Sequence, residues 1–357
     1  MKNRIFQSRD LCLRALDTNS LCTKSVRRNE EKMQDGMRIT GTGSAMPDRK
    51  VTNAELAAVV ETSDEWIRER TGIGQRHIST GETVVSLAVE AALAALEQAQ
   101  KTAAEVDLIL LATCSPEELL PCSACQVQAR LGAVNALAFD LNAACSGFLF
   151  ALATANAYLQ MGTYRNALVI GSEVLSKLID WTDRTTCILF GDGAGAVFLE
   201  SSGAGGLLGS ALHSDGGRGQ VLACRERSLQ NPYYQEEAME ACHVQMNGQE
   251  VYRFATRQVP ICIDEAVEAA GLSMDDIDLF VLHQANVRII DAVAKRLGAD
   301  RSKFPTNLER VGNMSSASIP VLLDELNRAG RLHRGDRVVL AGFGAGLTYG
   351  ACVLAWC

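Results

Sequence analysis

Two features that would assign the protein to a broad class are missing from its sequence. No apolar run reaches the roughly 20 residues of a membrane-spanning helix, and the most apolar helical stretch, 147–161, is interrupted by Asn156. An excess of basic residues is also missing, because 34 Lys and Arg stand against 42 Asp and Glu, a net charge of −8. The sequence therefore predicts neither a membrane protein nor a general nucleic-acid binder.

The cysteines are not spaced like those of a disulfide-rich secreted protein. Twelve of them are scattered over 357 residues, several inside apolar runs. Cys122 and Cys125 form a C-x-x-C pair, but the sequence has no second pair and no cluster of histidines that would complete a zinc site. We therefore expect no metal or other cofactor and a reducing, cytoplasmic location.

Residues 1–36 differ in composition from the rest of the chain. Seven basic residues occur in the first 28 positions against two acidic ones, Asp10 and Asp17, and no secretory h-region is present. This composition fits an organelle transit peptide, a disordered extension, or translation begun upstream of a start at Met33 or Met37. We expect an atypical, disordered extension that contributes nothing to the fold.

Strand-like and helix-like segments alternate from Met37 onwards. Helices are predicted over 53–60 and 63–70, and the apolar run 106–113 is predicted to be a strand buried on both faces. The G-x-G of Gly41 and Gly43 lacks the third glycine and the later acidic residue of a dinucleotide site. The pattern is typical of an α/β fold without a bound dinucleotide.

An internal repeat divides the chain. The segment that starts at Thr102 resembles the segment that starts at Ser273, and each follows an Ala-rich helical segment. A second alignment, at a slightly smaller offset, pairs Cys145 with Asn313, because the helices that follow both end at a glycine. The sequence therefore predicts two similar α/β halves, 37–204 and 205–357, that pack about a pseudo-twofold axis.

Cys145 lies where a predicted strand turns into an apolar helix. Small residues surround it, and the free N–H groups at the start of the helix would favour a thiolate. A cysteine at such a position can have a pKa of roughly 3.5–7.5, so we interpret Cys145 as a nucleophile. The alternative is a buried cysteine that packs as a small hydrophobic side chain.

The repeat brings two further residues to the same place. His283 directly follows a predicted strand, where ligands bind in such sheets, and Asn313 pairs with Cys145 in the alignment. We expect all three side chains to share one cavity. Taken singly, His283 could be a core histidine and Asn313 an ordinary helix N-cap.

Seven motifs, in this order, resemble those of the β-ketoacyl-acyl-carrier-protein synthase III family. They span almost all of 37–357 and lie at 62–67, 70–73, 143–148, 190–195, 283–289, 312–320 and 342–346. The resemblance implies a thiolase-like, five-layered αβαβα fold and a homodimer. It also implies a decarboxylative Claisen condensation that joins an acyl-CoA primer to malonyl-acyl-carrier protein and starts type II fatty-acid synthesis.

The resemblance assigns roles to individual residues. Cys145 would carry the acyl group, while His283 and Asn313 would donate hydrogen bonds to the enolate oxygen left by loss of CO2. Trp66 and Arg184 would enclose the adenine of CoA. The remaining implied contacts are with the phosphate and pantetheine (Arg70 and Asn286), the acyl cavity (Phe343), the tetrahedral oxygen (the loop containing Ala345) and the acidic carrier protein (Arg253 and Arg288).

The sequence departs from the family pattern at three positions, Leu120, Thr185 and Gln249. The first leaves primer length and branching open, and the other two affect the details of pantetheine binding. Two alternative functions remain: a non-decarboxylating acyltransferase of a specialised pathway, and a non-catalytic scaffold that binds carrier protein. A thiolase is disfavoured because Asn313 stands where we align its second cysteine.

Overall fold

The computed structural model describes residues 36–202, 206–225, 228–235 and 243–357. The prediction for the N-terminal extension therefore lies outside the described residues, except for Gly36. The expected boundary between the halves, 204/205, also lies outside them and stays a prediction. Within the described part of the chain, no helix is both long enough and apolar enough to cross a membrane.

The strands are β1 (Gly36–Ala45), β2 (Lys50–Thr52), β3 (Gln75–His77), β4 (Leu108–Ala112), β5 (Leu137–Leu141), β6 (Asn166–Glu173), β7 (Gly193–Ser202), β8 (Gly206–Ser214), β9 (Leu222–Ala223), β10 (Gln230–Asn231), β11 (Tyr234–Gln235), β12 (Gln245–Met246), β13 (Leu279–Leu282), β14 (Arg337–Gly344) and β15 (Thr348–Ala355). The α-helices are α1 (Asn53–Leu56), α2 (Asp64–Thr71), α3 (Val84–Ala99), α4 (Ser123–Leu131), α5 (Gly147–Gln160), α6 (Gly248–Ala269), α7 (Val287–Leu297), α8 (Leu308–Val311) and α9 (Ser318–Arg328). The helix expected over 53–60 is regular only in α1, whereas α2 lies close to its predicted position.

Two larger sheets repeat one strand order. In the first sheet the order is β1-β7-β6-β4-β5, and in the second it is β8-β15-β14-β13. The pair β6/β4 is parallel, and so is the equivalent pair β14/β13, while the remaining neighbours in that shared order are antiparallel. The strand β5 has no counterpart in the second sheet as far as that sheet is described. The structure thus has the two similar sheets that the repeat predicts.

The repeat keeps a constant offset through most of its length. β4 starts at Leu108 and β13 at Leu279, while β6 starts at Asn166 and β14 at Arg337, so both pairs keep the offset between Thr102 and Ser273. The helices α5 and α9 each follow a short 3-10 turn. We call these turns the Cys145 turn (Ala144–Ser146) and the Ser316 turn (Ser315–Ala317), and each begins at a residue with positive φ, 46° in the first and 48° in the second.

The alignment of Cys145 with Asn313 is wrong. At the offset that the strands keep, the two turns place Cys145 opposite Ser316, and Asn313 opposite Asn142. The sequence alignment used the glycines after the helices, Gly162 and Gly330. Those glycines are closer together than the repeat requires, because α9 has 11 residues and α5 has 14.

Helices and sheets alternate in five layers. α3 and α4 cover the outer face of the first sheet, α5 and α9 lie between the sheets, and α6 with α7 covers the outer face of the second. A central helix must be apolar around most of its surface, and α5 has seven buried residues among its 14. The predicted αβαβα fold is confirmed.

The central layer approaches the first sheet very closely at one point. A Cβ atom on Gly171 of β6 would lie 2.3 Å from the carbonyl oxygen of Ser316. Only glycine leaves room for the Ser316 turn there, because real Cβ atoms do not approach oxygen so closely. This contact therefore determines how closely the Ser316 turn approaches β6.

Candidate active site

A cavity of about 1140 Å³ reaches from the protein surface to the Cys145 turn. It lies between the Cys145 turn, the ends of β13 and β14, and the first turns of α6 and α7. Nine of the residues singled out from the sequence line it, namely Trp66, Arg70, Cys145, Arg253, His283, Asn286, Arg288, Asn313 and Phe343. Arg184 is absent from the lining, although its neighbour Thr185 is part of it.

A second cavity of about 340 Å³ shares Cys145 with the first. Ala345 lines this smaller cavity, together with apolar residues such as Leu175, Leu178 and Phe190. Leu120, by contrast, is 87% exposed and lines neither cavity. Cys145 therefore lies at the junction of a larger entrance cavity and a smaller, largely apolar chamber.

Cys145 is nearly sealed by the backbone that faces it. Its side chain lies in the Cys145 turn, and the residue is only 8% exposed. A Cβ atom on Gly344, at the end of β14, would lie 2.5 Å from the backbone nitrogen of Cys145. Glycine at 344 thus lets the two halves meet at the nucleophile.

The expected low pKa of Cys145 is wrong. The pKa of this thiol is raised to about 12, mainly by burial; a hydrogen bond with Ser315 lowers it and the nearby charge of Glu173 raises it, both by less than burial does. The desolvation cost of a thiolate exceeds the stabilisation that the helix N-terminus offers. In the free protein Cys145 is a neutral thiol.

His283 presents a neutral imidazole to the cavity. Burial lowers its pKa to about 3, so the ring is uncharged at any physiological pH. Its backbone N–H donates to the carbonyl of Ala341 at 2.8 Å, and the ring of Phe343 packs edge-on at 5.6 Å. The Nδ1 atom is buried and has no partner among the described residues.

The carboxamide of Asn313 is oriented by its own turn. Its Oδ1 accepts a hydrogen bond from the backbone N–H of Ser315 at 2.9 Å. Its backbone is held by Leu189, whose carbonyl accepts its N–H, and by Gly191, whose N–H donates to its carbonyl. Because Oδ1 is engaged, the NH2 group is the part of the side chain that remains to donate. Asn313 is thus a cavity residue whose side chain is hydrogen-bonded to the start of the Ser316 turn, and it is not the N-cap, which is Met314.

Glu173 is a residue of this site that sequence reasoning missed. It is fully buried at the end of β6, and no cation pairs with it among the described residues. Its carboxylate accepts hydrogen bonds from the backbone N–H of Cys114 and the hydroxyls of Thr113, Ser115 and Ser316. A single Glu after a buried strand gives no sequence signal that distinguishes it from an exposed one.

Arginines surround the indole at the cavity mouth. The guanidinium carbon of Arg70 lies 4.5 Å from the ring centroid of Trp66, and that of Arg184 lies 5.2 Å from it. Asn286 donates through Nδ2 to the carbonyl of Arg70, and its Oδ1 caps α7 by accepting from the N–H of Arg288. The rim therefore combines positive charge with a flat aromatic surface, which suits a phosphorylated nucleotide.

Two more arginines line the cavity, Arg253 and Arg288. Arg253 is 69% exposed and pairs with Glu250 at 2.6 Å, one turn earlier on α6. The guanidinium carbon of Arg288 lies 5.9 Å from the ring centroid of Tyr252. The cavity mouth is therefore locally basic although the whole chain carries a charge of −8.

Two family models match the chain over the segments that carry this geometry. Residues 139–216 match the model of 3-oxoacyl-acyl-carrier-protein (ACP) synthase III, and residues 267–356 match the model of its C-terminal part. The β-ketoacyl-acyl-carrier-protein synthase III of Clostridium acetobutylicum is 47% identical over 322 residues, which cover 90% of this chain and 99% of that relative.

Solved structures are similar over the same part of the chain. The crystal structure of 3-oxoacyl-acyl-carrier-protein synthase III from Aquifex aeolicus is 40% identical and has a TM-score of 0.85, covering 90% of this chain and 100% of that one. The priming β-ketosynthase from the R1128 polyketide biosynthetic pathway is 37% identical, with a TM-score of 0.85, 90% of this chain covered and 97% of that one.

Fold and matches together define a thiolase-like condensing enzyme, an acyltransferase. The identity to the relatives and their near-complete coverage specify the family further. The chain belongs to the β-ketoacyl-acyl-carrier-protein synthase III family, as the order of its sequence motifs predicts.

Alkylation of Cys145 should report its raised pKa. Since the pKa is about 12, the thiolate fraction grows tenfold per pH unit well below that value. We expect the rate of alkylation by iodoacetamide to rise about tenfold per unit between pH 7 and 10 without a plateau. Mass spectrometry of the peptide containing Cys145 measures it, with Cys145→Ala as background. A plateau below pH 9 would contradict the prediction.

Proposed function

We propose that Cys145, His283 and Asn313 catalyse the reaction of this family in the chain. That reaction condenses acyl-CoA with malonyl-acyl-carrier protein, gives 3-oxoacyl-carrier protein, CoA and CO2, and initiates fatty-acid synthesis. The observation that carries the proposal is that all three side chains line one cavity although they come from distant parts of the chain. An aromatic and basic rim at the mouth fits the nucleotide of CoA.

In the first step Cys145 Sγ attacks the thioester carbon of acyl-CoA. The backbone N–H of Cys145 and the loop of Gly344, Ala345 and Gly346 would hold the tetrahedral oxygen, and the acyl chain would enter the smaller cavity. That chamber is lined largely by apolar side chains and opens at the sulfur, as an acyl-cysteine requires. Its volume of about 340 Å³ favours a short primer.

In the second step malonyl-acyl-carrier protein loses CO2 and its enolate attacks the acyl-cysteine. The bond between Cys145 Sγ and the acyl carbon breaks, the 3-oxoacyl-carrier protein is released, and the sulfur takes up a proton from solvent to give the neutral thiol. As CO2 leaves, negative charge develops on the malonyl thioester oxygen, where His283 Nε2–H and Asn313 Nδ2–H would donate. A ring with a pKa of about 3 is a neutral donor, and decarboxylation needs no base. Fixed neutral donors in a dry cavity stabilise such an oxyanion strongly.

The roles proposed for Cys145, His283 and Asn313 can be tested by measuring acylation and condensation separately. Incubation with acetyl-CoA should add one acetyl group to the intact protein, and Cys145→Ala should abolish this adduct. His283→Ala and Asn313→Ala should still be acetylated but release CO2 from malonyl-acyl-carrier protein about 10²–10³ more slowly. Mass spectrometry and CO2 release measure the two steps.

Each result decides between functions. Normal condensation in both His283→Ala and Asn313→Ala would overturn the roles of these two residues. Acetylation without any CO2 release by the wild type would favour the non-decarboxylating acyltransferase, and no adduct from any short acyl-CoA would favour the non-catalytic scaffold.

Arg253 and Arg288 are proposed to dock the acidic carrier protein. Their position at the rim provides local positive charge that a protein of net charge −8 otherwise lacks. Charge complementarity of this kind acts mainly on the association rate and weakens with salt.

Replacement of either arginine by alanine should raise KM for malonyl-acyl-carrier protein about two- to fivefold, the effect of an exposed ion pair. In Arg253→Ala the rate of acetylation by acetyl-CoA should change less than this KM. Arg38→Ala is a matched control, because Arg38 also pairs with a glutamate, Glu200, but lies on β1 away from the cavity. Equal KM changes in Arg253→Ala and Arg38→Ala would contradict docking at this rim.

The chain is also proposed to form a homodimer through the open edge of β5. This strand pairs with β4 on one side, and no described strand pairs with its other side. Exposed apolar side chains lie on and near it, with Leu120 at 87%, Val134 at 76% and Leu137 at 40% exposure. Unprotected edges and apolar patches favour association. A cytosolic location is proposed because the buried cysteines Cys145, Cys187, Cys262 and Cys352 are free thiols.

Substitution at this edge should separate the subunits. Leu137→Asp places a charge on the strand edge and should convert the dimer to a monomer in light scattering coupled to size exclusion. Leu93→Asp is the control, since Leu93 is similarly exposed at 51% but lies on α3. A dimer that survives Leu137→Asp, or a monomeric wild type, would contradict an interface at β5.

A further inference from the structure

Three side chains with metal-binding atoms converge outside the catalytic cavity. His213 lies on β8, and Cys262 and Glu265 lie on α6, which packs along that strand. One ligand atom from each lies within 4.8 Å of the other two. None of the three lines the entrance cavity or the acyl chamber, so the proposed reaction does not account for the cluster.

The packing of β8 against α6 holds the three side chains close together. Cys262 and Glu265 are three residues apart on a helix, which places them side by side on its surface. His213 reaches across from the strand, and its Nε2 lies 2.6 Å from Oε2 of Glu265. The ring of Tyr349 on β15 packs beside that imidazole, with centroids 5.3 Å apart.

We propose that this cluster binds a divalent transition-metal ion of the zinc type through His213 Nε2, Cys262 Sγ and a carboxylate oxygen of Glu265. Imidazole, thiolate and carboxylate are the three ligand types that zinc uses in proteins. Calcium and magnesium prefer sites built from oxygen alone and do not match this donor set. Small side-chain movements would bring the ligand atoms from their present spacing to ordinary coordination distances.

The charges and the exposure of the cluster suit a bound ion. A thiolate and a carboxylate together neutralise a divalent cation, so the loaded site would carry no net charge. The ion would replace the thiol proton of Cys262, which leaves to solvent. His213 and Glu265 are 41% and 45% exposed while Cys262 is buried. The ion would therefore enter from the surface and keep a water as its fourth ligand.

The proposed ion would fasten β8 to α6, and α6 borders the entrance cavity. β8 leads directly to Asp215, whose backbone exchanges hydrogen bonds with Leu347 at 2.7 and 3.0 Å, next to the loop beside Cys145. The first turn of α6 lines the cavity itself. The role is thus structural, a clamp between β8 and α6, and it does not depend on the reaction proposed above.

Cobalt provides the test, because a thiolate bound to Co²⁺ gives a charge-transfer absorption band. The reduced full-length chain, stripped with a chelator, is titrated with CoCl2 and then with ZnCl2. We expect one equivalent of cobalt to produce the band and zinc to abolish it. Since loss of an outer-shell partner costs about 10–100-fold in affinity, loss of a ligand in Cys262→Ala or His213→Gln should cost about 100-fold or more.

Matched controls make the outcome decisive. Cys352→Ala removes another fully buried thiol whose pKa burial also raises to about 12, and this variant should keep the band. Zinc should raise the melting temperature of the wild type and of Cys352→Ala but not of His213→Gln, whose half-exposed position leaves the core intact. No band in the wild type, or an unchanged band in Cys262→Ala, would show that His213 and Glu265 form only a hydrogen-bonded pair.

Discussion

The position of Cys145 relative to the Ser316 turn depends on one buried carboxylate. Glu173 ends a strand of the first sheet, and Ser316, from the turn before α9, donates a hydrogen bond to it at 2.8 Å. A buried carboxylate without partners would cost several kcal/mol, so its neutral donors must be in place whenever the fold forms. Because the donors come from both parts of the repeat, they fix how these two parts pack against each other. The Cys145 turn and the Ser316 turn, which follows Asn313, therefore lie in contact where the two parts meet.

Much of the fold could be predicted because the internal repeat is recognisable in the sequence. The apolar strand β4 and its copy β13 are recognisable from their runs of buried residues, and a constant offset then fixes the equivalent strand order of two sheets. The family follows from motifs that occur at turns, where backbone geometry limits the residue types that fit. Gly344 is such a residue, since its missing side chain makes room for the backbone of Cys145.

The features that could not be predicted depend on contacts between distant segments. The equivalence of Cys145 with Ser316 was hidden because α9 is three residues shorter than α5. The pKa of Cys145 depends on how deeply the turn is buried, which no local pattern reports. Glu173 likewise gains its importance only from donors that are remote in sequence, such as Thr113 and Ser316.

Burial also dictates how a proton must move in the acylation of Cys145 that we propose. The thiol has a pKa of about 12 and His283 one of about 3, so neither a free thiolate nor an imidazolium is stable in the cavity. The CoA sulfur that departs takes up a proton, since a thiol has a pKa near 8.5. In the proposed reaction the proton of Cys145 must therefore end on CoA, because His283 cannot retain it. After CoA leaves, the cavity would hold an uncharged thioester and two neutral donors, so no charge would have to be neutralised before the enolate forms.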